Sequence, residues 1–229
     1  MPRRRLVDVG PVVRSVVEWP CAAPAAPPVV LLPGTGLTAG SWDVVAASLS
    51  ATRAVVAVDL RGHGESGWPG EYSIDLMASD VGALLDRLGA EPVDLVGHSL
   101  GGLVALRVAA AAPARVRRVV LEDVGMPHAR TPTTPTRPVG ELDLDWRVVE
   151  QVRPEIDAPD PAWPEVARSV AAPTLVVGGG ARSFVAAEHV TELVVALPDG
   201  RSVTLDTGHE VHASDPAGFI REVAAFIDT

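Results

Sequence analysis

The stretch Val93-Asp94-Leu95-Val96-Gly97-His98-Ser99-Leu100-Gly101-Gly102 decides the fold. An apolar, β-branched run breaks at a glycine and a serine and then turns helical, which is the G-x-S-x-G spacing of a nucleophile elbow over Gly97, Ser99 and Gly101. A strand that turns directly into a helix crowds its own backbone. Glycines at both flanks relieve the crowding, and the serine between them is held in a strained conformation with its hydroxyl presented outward. The amides that follow, starting at Leu100, open a helix whose N-terminus favours developing negative charge. The spacing predicts a strand over Val93 to Val96 and a helix over Leu103 to Ala112, stopped by Pro113.

Outward from the elbow, other short apolar runs repeat the pattern. Val29-Val30-Leu31-Leu32, Ala54-Val55-Val56-Ala57-Val58, Val116 to Leu121 and Thr174-Leu175-Val176-Val177 read as strands buried on both faces, and Ser202 to Leu205 as a further strand. Helical spacing falls between them. Ser41 is placed to cap a helix from Trp42 to Ala51, and Ser73 one that carries Met77, Val81, Leu84, Leu85 and Leu88 and ends at Gly89. Further helices are expected from Ala186 to Ala196 and from Asp215 to Ile227. Leu6 to Trp19, centred on Gly10-Pro11, reads as a β-hairpin. The alternation gives an α/β fold with a mostly parallel, doubly wound sheet begun by an antiparallel hairpin. Between Val124 and Ala172 the pattern fails, with recurrent prolines, the run Thr131-Pro132-Thr133-Thr134-Pro135-Thr136 and weak helices at Leu144 to Val152 and Trp163 to Val170. This stretch is expected to be a short Pro-rich lid inserted into a single domain covering residues 1–229.

Composition excludes several classes of function. The chain has 229 residues, enough for one full core, with a formal net charge of −10, so its surface on average repels nucleic acid and anionic membrane. All nineteen basic residues are arginine, which removes a lysine nucleophile or Schiff base. The single Cys21 excludes an internal disulfide and any multi-cysteine metal cluster. Arg3-Arg4-Arg5 leads into no apolar h-region, because Asp8, Arg14 and Glu18 interrupt it, so a cytoplasmic protein is the expectation. No His-Glu-x-x-His pattern occurs, and Gly178-Gly179-Gly180 lacks dinucleotide spacing, so neither metal nor cofactor is expected.

A serine hydroxyl needs a neutral base and something to orient that base. Of the six histidines, His98 neighbours Ser99 but points away from it and is read as packing beside the strand. His63 lies in the loop Asp59-Leu60-Arg61-Gly62-His63-Gly64-Glu65-Ser66, and His128 and His189 fall in the lid and on a helix. His209 follows a strand through Gly208 late in the chain, so sheet topology delivers it to the same edge as Ser99. His212 is a candidate for the pocket lining, with Leu37, Trp42, Trp146 and Trp163 as candidate apolar walls.

Taken in order, Leu32-Pro33-Gly34-Thr35-Gly36, Asp59 to Ser66, Gly97-His98-Ser99-Leu100-Gly101-Gly102 and Gly208-His209 resemble the α/β-hydrolase superfamily over nearly the whole chain outside the lid. The resemblance implies Ser99 as nucleophile, His209 as general base and an oxyanion hole from the amides of Leu100 and Thr35. Two departures stand out. Pro33 replaces the usual histidine before Gly34, and Gly179-Gly180-Ala181-Arg182-Ser183 occupies the usual place of the acid without offering a carboxylate. Asp123, at the end of the strand after the elbow helix, is the substitute, a position some similar members use. Glu122 alternates to the opposite face, and Asp206 is expected to shape its turn.

The reading is a cofactor-free serine hydrolase acting on a small-molecule carboxylic ester, thioester or lactone. The same scaffold could instead serve C–C hydrolysis, perhydrolysis or lyase chemistry, or a ligand receptor without catalysis.

Overall fold

A computed structural model describes residues 1–89 and 92–229. Eight strands form one sheet: β1 (Arg3–Asp8), β2 (Val13–Trp19), β3 (Val29–Leu32), β4 (Val55–Val58), β5 (Val93–His98), β6 (Val116–Glu122), β7 (Thr174–Gly178) and β8 (Gly200–Thr204). Their order across the sheet is β1-β2-β4-β3-β5-β6-β7-β8. Pairing is antiparallel for β1 with β2 and β2 with β4, and parallel from β4 through β8. The expected hairpin and doubly wound sheet are thus present. The elbow strand β5 lies inside the sheet between β3 and β6.

The apolar runs behave as strands because their alternate residues feed two different cores. Val30 and Leu32 of β3, Leu95 of β5 and Val119 and Leu121 of β6 pack into one core with helices α2 (Ile74–Leu88) and α3 (Leu100–Ala111). Val29, Leu31, Val96 and Val120 face the other, against α1 (Asp43–Leu49) and α8 (Pro216–Ile227). The Ser73 hydroxyl caps α2 by accepting from the Leu76 amide at 3.0 Å, as its position predicts.

Between β6 and β7 run α4 (Trp146–Asp157) and α5 (Trp163–Ser169), with α6 (Ala187–Ala196) between β7 and β8 and the short α7 (Val211–Ser214) before α8. Val148, Val152, Trp163 and Ala167 of α4 and α5 bury into the same core as the elbow helix. The segment is also laced to the loop after β4, where the Gly64 amide donates to Asp143 O and the Asp145 amide to Gly62 O. Within that loop the buried Asp59 accepts from the Ala39 and Glu65 amides and from Arg4, so it braces the turn. Among the described residues no helix is long and apolar enough to cross a membrane.

Two helix starts differ from the expectation. Ser41 caps nothing: it sits inside a 3-10 turn over Ala39–Trp42, its hydroxyl donates to Thr38 O at 2.9 Å, and α1 begins after it. The elbow helix starts at Leu100, not Leu103, and so takes in Gly101 and Gly102. Intrinsic propensity argues against glycine there, but close approach requires it. A Cβ on Gly101 would overlap the carbonyl oxygen of Leu32, and one on Gly97 would overlap that of Gly101.

Gly101→Ala should therefore cost about 2–3 kcal/mol through overpacking, lowering Tm by roughly 5–10 °C. Gly82→Ala, on α2 where a Cβ would meet nothing within 4 Å, should raise stability by about 0.5–1 kcal/mol. Thermal melts of the two variants check the contrast, and equal effects would contradict the close approach at the elbow.

Candidate functional site

Three strand ends meet around Ser99. Ser99 has φ +50° and ψ −116°, a left-handed conformation unusual for a non-glycine residue, and it is the cap position of α3. Its amide donates to Glu122 O at 3.0 Å, which ties the elbow to the end of β6. Leu100 is the first residue of α3, so its amide has no acceptor within the helix. The loop after β3 passes close by: a Cβ on Gly34 would lie 3.3 Å from the Ser99 Cβ and 2.6 Å from His98 Nδ1. Thr35, next in that loop, is exposed.

Asp123 is the other non-glycine residue with positive φ among the described residues, also at +50°. Its carboxylate is 2% exposed and takes three donors. Oδ1 accepts the Gly179 amide at 2.8 Å, and Oδ2 accepts His209 Nδ1–H at 2.7 Å and the Ser183 hydroxyl. A carboxylate only accepts, so the His209 proton lies on Nδ1 and Nε2 is left as the basic nitrogen. Gly179 and Ser183 belong to the stretch that lacks an acid. That stretch supplies donors to a carboxylate from the neighbouring strand instead. The Thr207 and Gly208 amides both donate to Gly179 O, which ties the His209 loop to the same point.

Asp206 is exposed, whereas the Nδ1 partner of His209 is Asp123. The Phe184 ring lies 4.1 Å from the His209 ring, centroid to centroid, although Phe184 is itself largely exposed. His98 is buried, and its Nε2–H donates to the backbone carbonyl of His209 at 3.1 Å. Burial, followed by the charges of His209 and His212, pushes the His98 pKa down from 6.5 to about 3. His63, also buried, bonds Arg61 O at 3.1 Å, and burial lowers its pKa as well.

A cavity of about 250 Å³ opens on Ser99, Asp123 and His209. Its apolar walls come from Leu103, Val124, Met126, Ile156, Phe184 and Val185, with His128 and His189 stacked at 4.4 Å on one side. Leu37, Trp42, Trp146, Trp163 and His212 are not among the described residues lining it. Trp42 is fully buried on the opposite core face and stacks on His212 at 4.2 Å, and Trp163 is buried under Arg107. The expectation located the right sheet edge but could not assign side chains to a face. Phe184 and Met126, which line the cavity instead, lie in stretches with no periodicity to single them out.

Comparison with known proteins identifies the fold. A family profile described as alpha/beta hydrolase fold matches residues 27–155, more than half of the chain. An esterase of Mycobacterium tuberculosis is 39% identical over 126 residues, covering 54% of this chain and 40% of that protein. An sn-1-specific diacylglycerol lipase of Mus musculus is 24% identical over 221 residues, covering 76% of this chain and 72% of the lipase. The crystal structure of an enol-lactonase from Burkholderia xenovorans LB400 superposes with a TM-score of 0.84 at 22% identity, covering 98% of this chain and 100% of that one. At that identity the likeness is one of fold. The matches to several curated relatives span only about a quarter to two-fifths of those proteins' length.

The depressed pKa of His98 has a measurable consequence. Between pH 6.5 and about 3 the unfolded chain holds a proton at His98 that the folded chain lacks. Stability therefore falls as pH drops below 6.5, by up to about 1.4 kcal/mol per unit for this group. His98→Gln keeps a nitrogen donor for His209 O and removes the titration. Urea unfolding at pH 7.5 and 5.0 should show the variant losing roughly 2 kcal/mol less than wild type, and equal losses would contradict a buried neutral His98.

Proposed function

Because the chain belongs to the α/β-hydrolase family, we propose that it is a serine hydrolase cleaving small carboxylic esters, thioesters or lactones through an acyl-enzyme. The observation that carries this reading is the 2.7 Å bond from His209 Nδ1 to Asp123, on the cavity that also opens on the strained Ser99. Relatives named esterase and lipase support ester hydrolysis in general. The finer assignment rests on the chemistry of the side chains.

In the proposed reaction Ser99 Oγ attacks the substrate carbonyl carbon while His209 Nε2 takes the hydroxyl proton. The resulting oxyanion is held by the amides of Leu100 and Thr35, helped by the N-terminus of α3. Collapse expels the alkoxide, thiolate or ring oxygen, which takes the proton from His209. Water then repeats the sequence on the acyl-enzyme and frees the acid. Asp123 keeps the His209 proton on Nδ1 and stabilises the imidazolium, while Gly179 and Ser183 fix the carboxylate. The segment 124–172 acts as the lid, contributing Val124 to Arg130 and Ile156 to the cavity. A cavity of about 250 Å³ with these apolar walls favours short acyl chains over long ones.

A fluorophosphonate probe should label Ser99, and labelling should vanish in His209→Ala. Asp123→Asn should fold and lose about 10³- to 10⁴-fold in kcat, with Asp206→Asn near wild type. A dead Asp206→Asn beside an active Asp123→Asn would reassign the acid, and no labelling of folded wild type would favour a non-catalytic receptor. Across chromogenic esters, kcat/KM should be highest for short acyl chains and fall as the chain lengthens. A maximum at the longest chains would contradict the cavity as the acyl site.

A further inference from the structure

Glu122 and Asp123 are consecutive residues at the end of β6, and they send their carboxylates to opposite faces. Asp123 reaches His209. Glu122 reaches the residue three positions further on, accepting the His212 backbone amide at 2.9 Å and His212 Nδ1–H at 2.8 Å on each carboxylate oxygen. Both side chains of this second pair are almost wholly buried, and His212 is stacked on Trp42. Its partner across an ion-pair distance, among the described residues, is His212 and no arginine.

A carboxylate taken out of water costs several kcal/mol, and a buried pair of this kind contributes little more to stability than an apolar pair of the same shape. Its position suggests another use. The loop from Gly208 to His212 carries the base on a half-exposed turn that starts from a glycine with φ +97°. It is fastened at four points: at the His209 ring by Asp123, at the His209 carbonyl by His98, at the His212 amide and ring by Glu122, and at the Gly208 amide by the Gly179 carbonyl. The edge of the His98 ring meets the His212 ring at 5.4 Å, so the second and third fastenings touch.

We propose that Glu122 and His212 form a positioning pair for the base, holding the turn so that the His209 ring stays aimed at Ser99 through proton transfer. This inference rests on the hydrolase reading above. Neither residue lines the cavity, so neither contacts substrate. A displacement of about 1 Å in a catalytic group can cost roughly 10²-fold in rate, which sets the scale of the effect.

The test compares three variants on a short-chain chromogenic ester. His212→Leu removes the ring donor to Glu122 and leaves the backbone amide, Glu122→Gln keeps shape and one acceptor, and His212→Asn keeps a side-chain N–H at the Nδ1 position. For a positioning role, kcat should fall about 10- to 100-fold in His212→Leu and less in Glu122→Gln, with KM within about twofold. His212→Asn should recover most of the loss. A folded His212→Leu or Glu122→Gln with wild-type kcat, a loss confined to KM, or His212→Asn as slow as His212→Leu would each overturn the proposal. If His212→Leu does not fold, the pair Glu122→Gln and His212→Asn carries the comparison. The ¹H–¹⁵N resonances of the His209 ring report placement without turnover. They should move in Glu122→Gln and stay near wild type in His212→Asn. A wild-type protein inert to esters and to the fluorophosphonate would sink the hydrolase reading, while unmoved His209 resonances in Glu122→Gln would sink the positioning pair.

Discussion

The structure around the site depends on one buried carboxylate. Asp123 leaves β6 in a left-handed conformation and binds the β7 loop through Gly179 and Ser183, and the loop after β8 through His209. Three strand ends are thereby joined by a single side chain. The Gly179 amide and the Ser183 hydroxyl hold this buried carboxylate in one orientation beside His209. With them in place the imidazole has one tautomer and one direction. In the proposed reaction Asp123 therefore sits where an imidazolium needs its partner before any substrate arrives.

A second constraint is steric. The elbow brings α3 so close to β3 and β5 that side chains at Gly97 and Gly101 would overlap backbone carbonyls. The approach forces Ser99 into its strained conformation and turns the start of α3 toward the cavity. Strain at Ser99 and at Asp123 occurs at consecutive crossings of the same sheet edge. Both are held by backbone bonds to the next strand: Ser99 N to Glu122 O, and Asp123 N to Val177 O.

Much of this was legible in the sequence because it is written in local chemistry. Buried strands appear as unbroken Val and Leu runs, and the elbow appears as a glycine-flanked serine after one of them. Topology then brings the end of β6 and the turn after β8 to one edge, and the resemblance, with the usual acid position empty, points to Asp123 as the partner of His209. Side-chain direction was not legible. Trp42 and His212 sit at the expected edge but turn into the opposite core, because the 3-10 turn before α1 and the short α7 that carry them pack over that face of the sheet with α1 and α8. The Gly179 to Ser183 stretch was read for the carboxylate it lacks, and its role as a donor set emerges only when Asp123 lies against it. The cavity walls come from an aperiodic segment, where neither a 2.0 nor a 3.6 period marks an inward face.

The central claim is that Asp123, and no other acid, holds the base. The most direct measurement is the low-field proton resonance of His209 Nδ1–H, assigned by its loss in His209→Gln and separated from that of His212 by selective labelling. The account predicts that this resonance is present in wild type, persists in Asp206→Asn and disappears in Asp123→Asn. Its survival in Asp123→Asn would contradict the account.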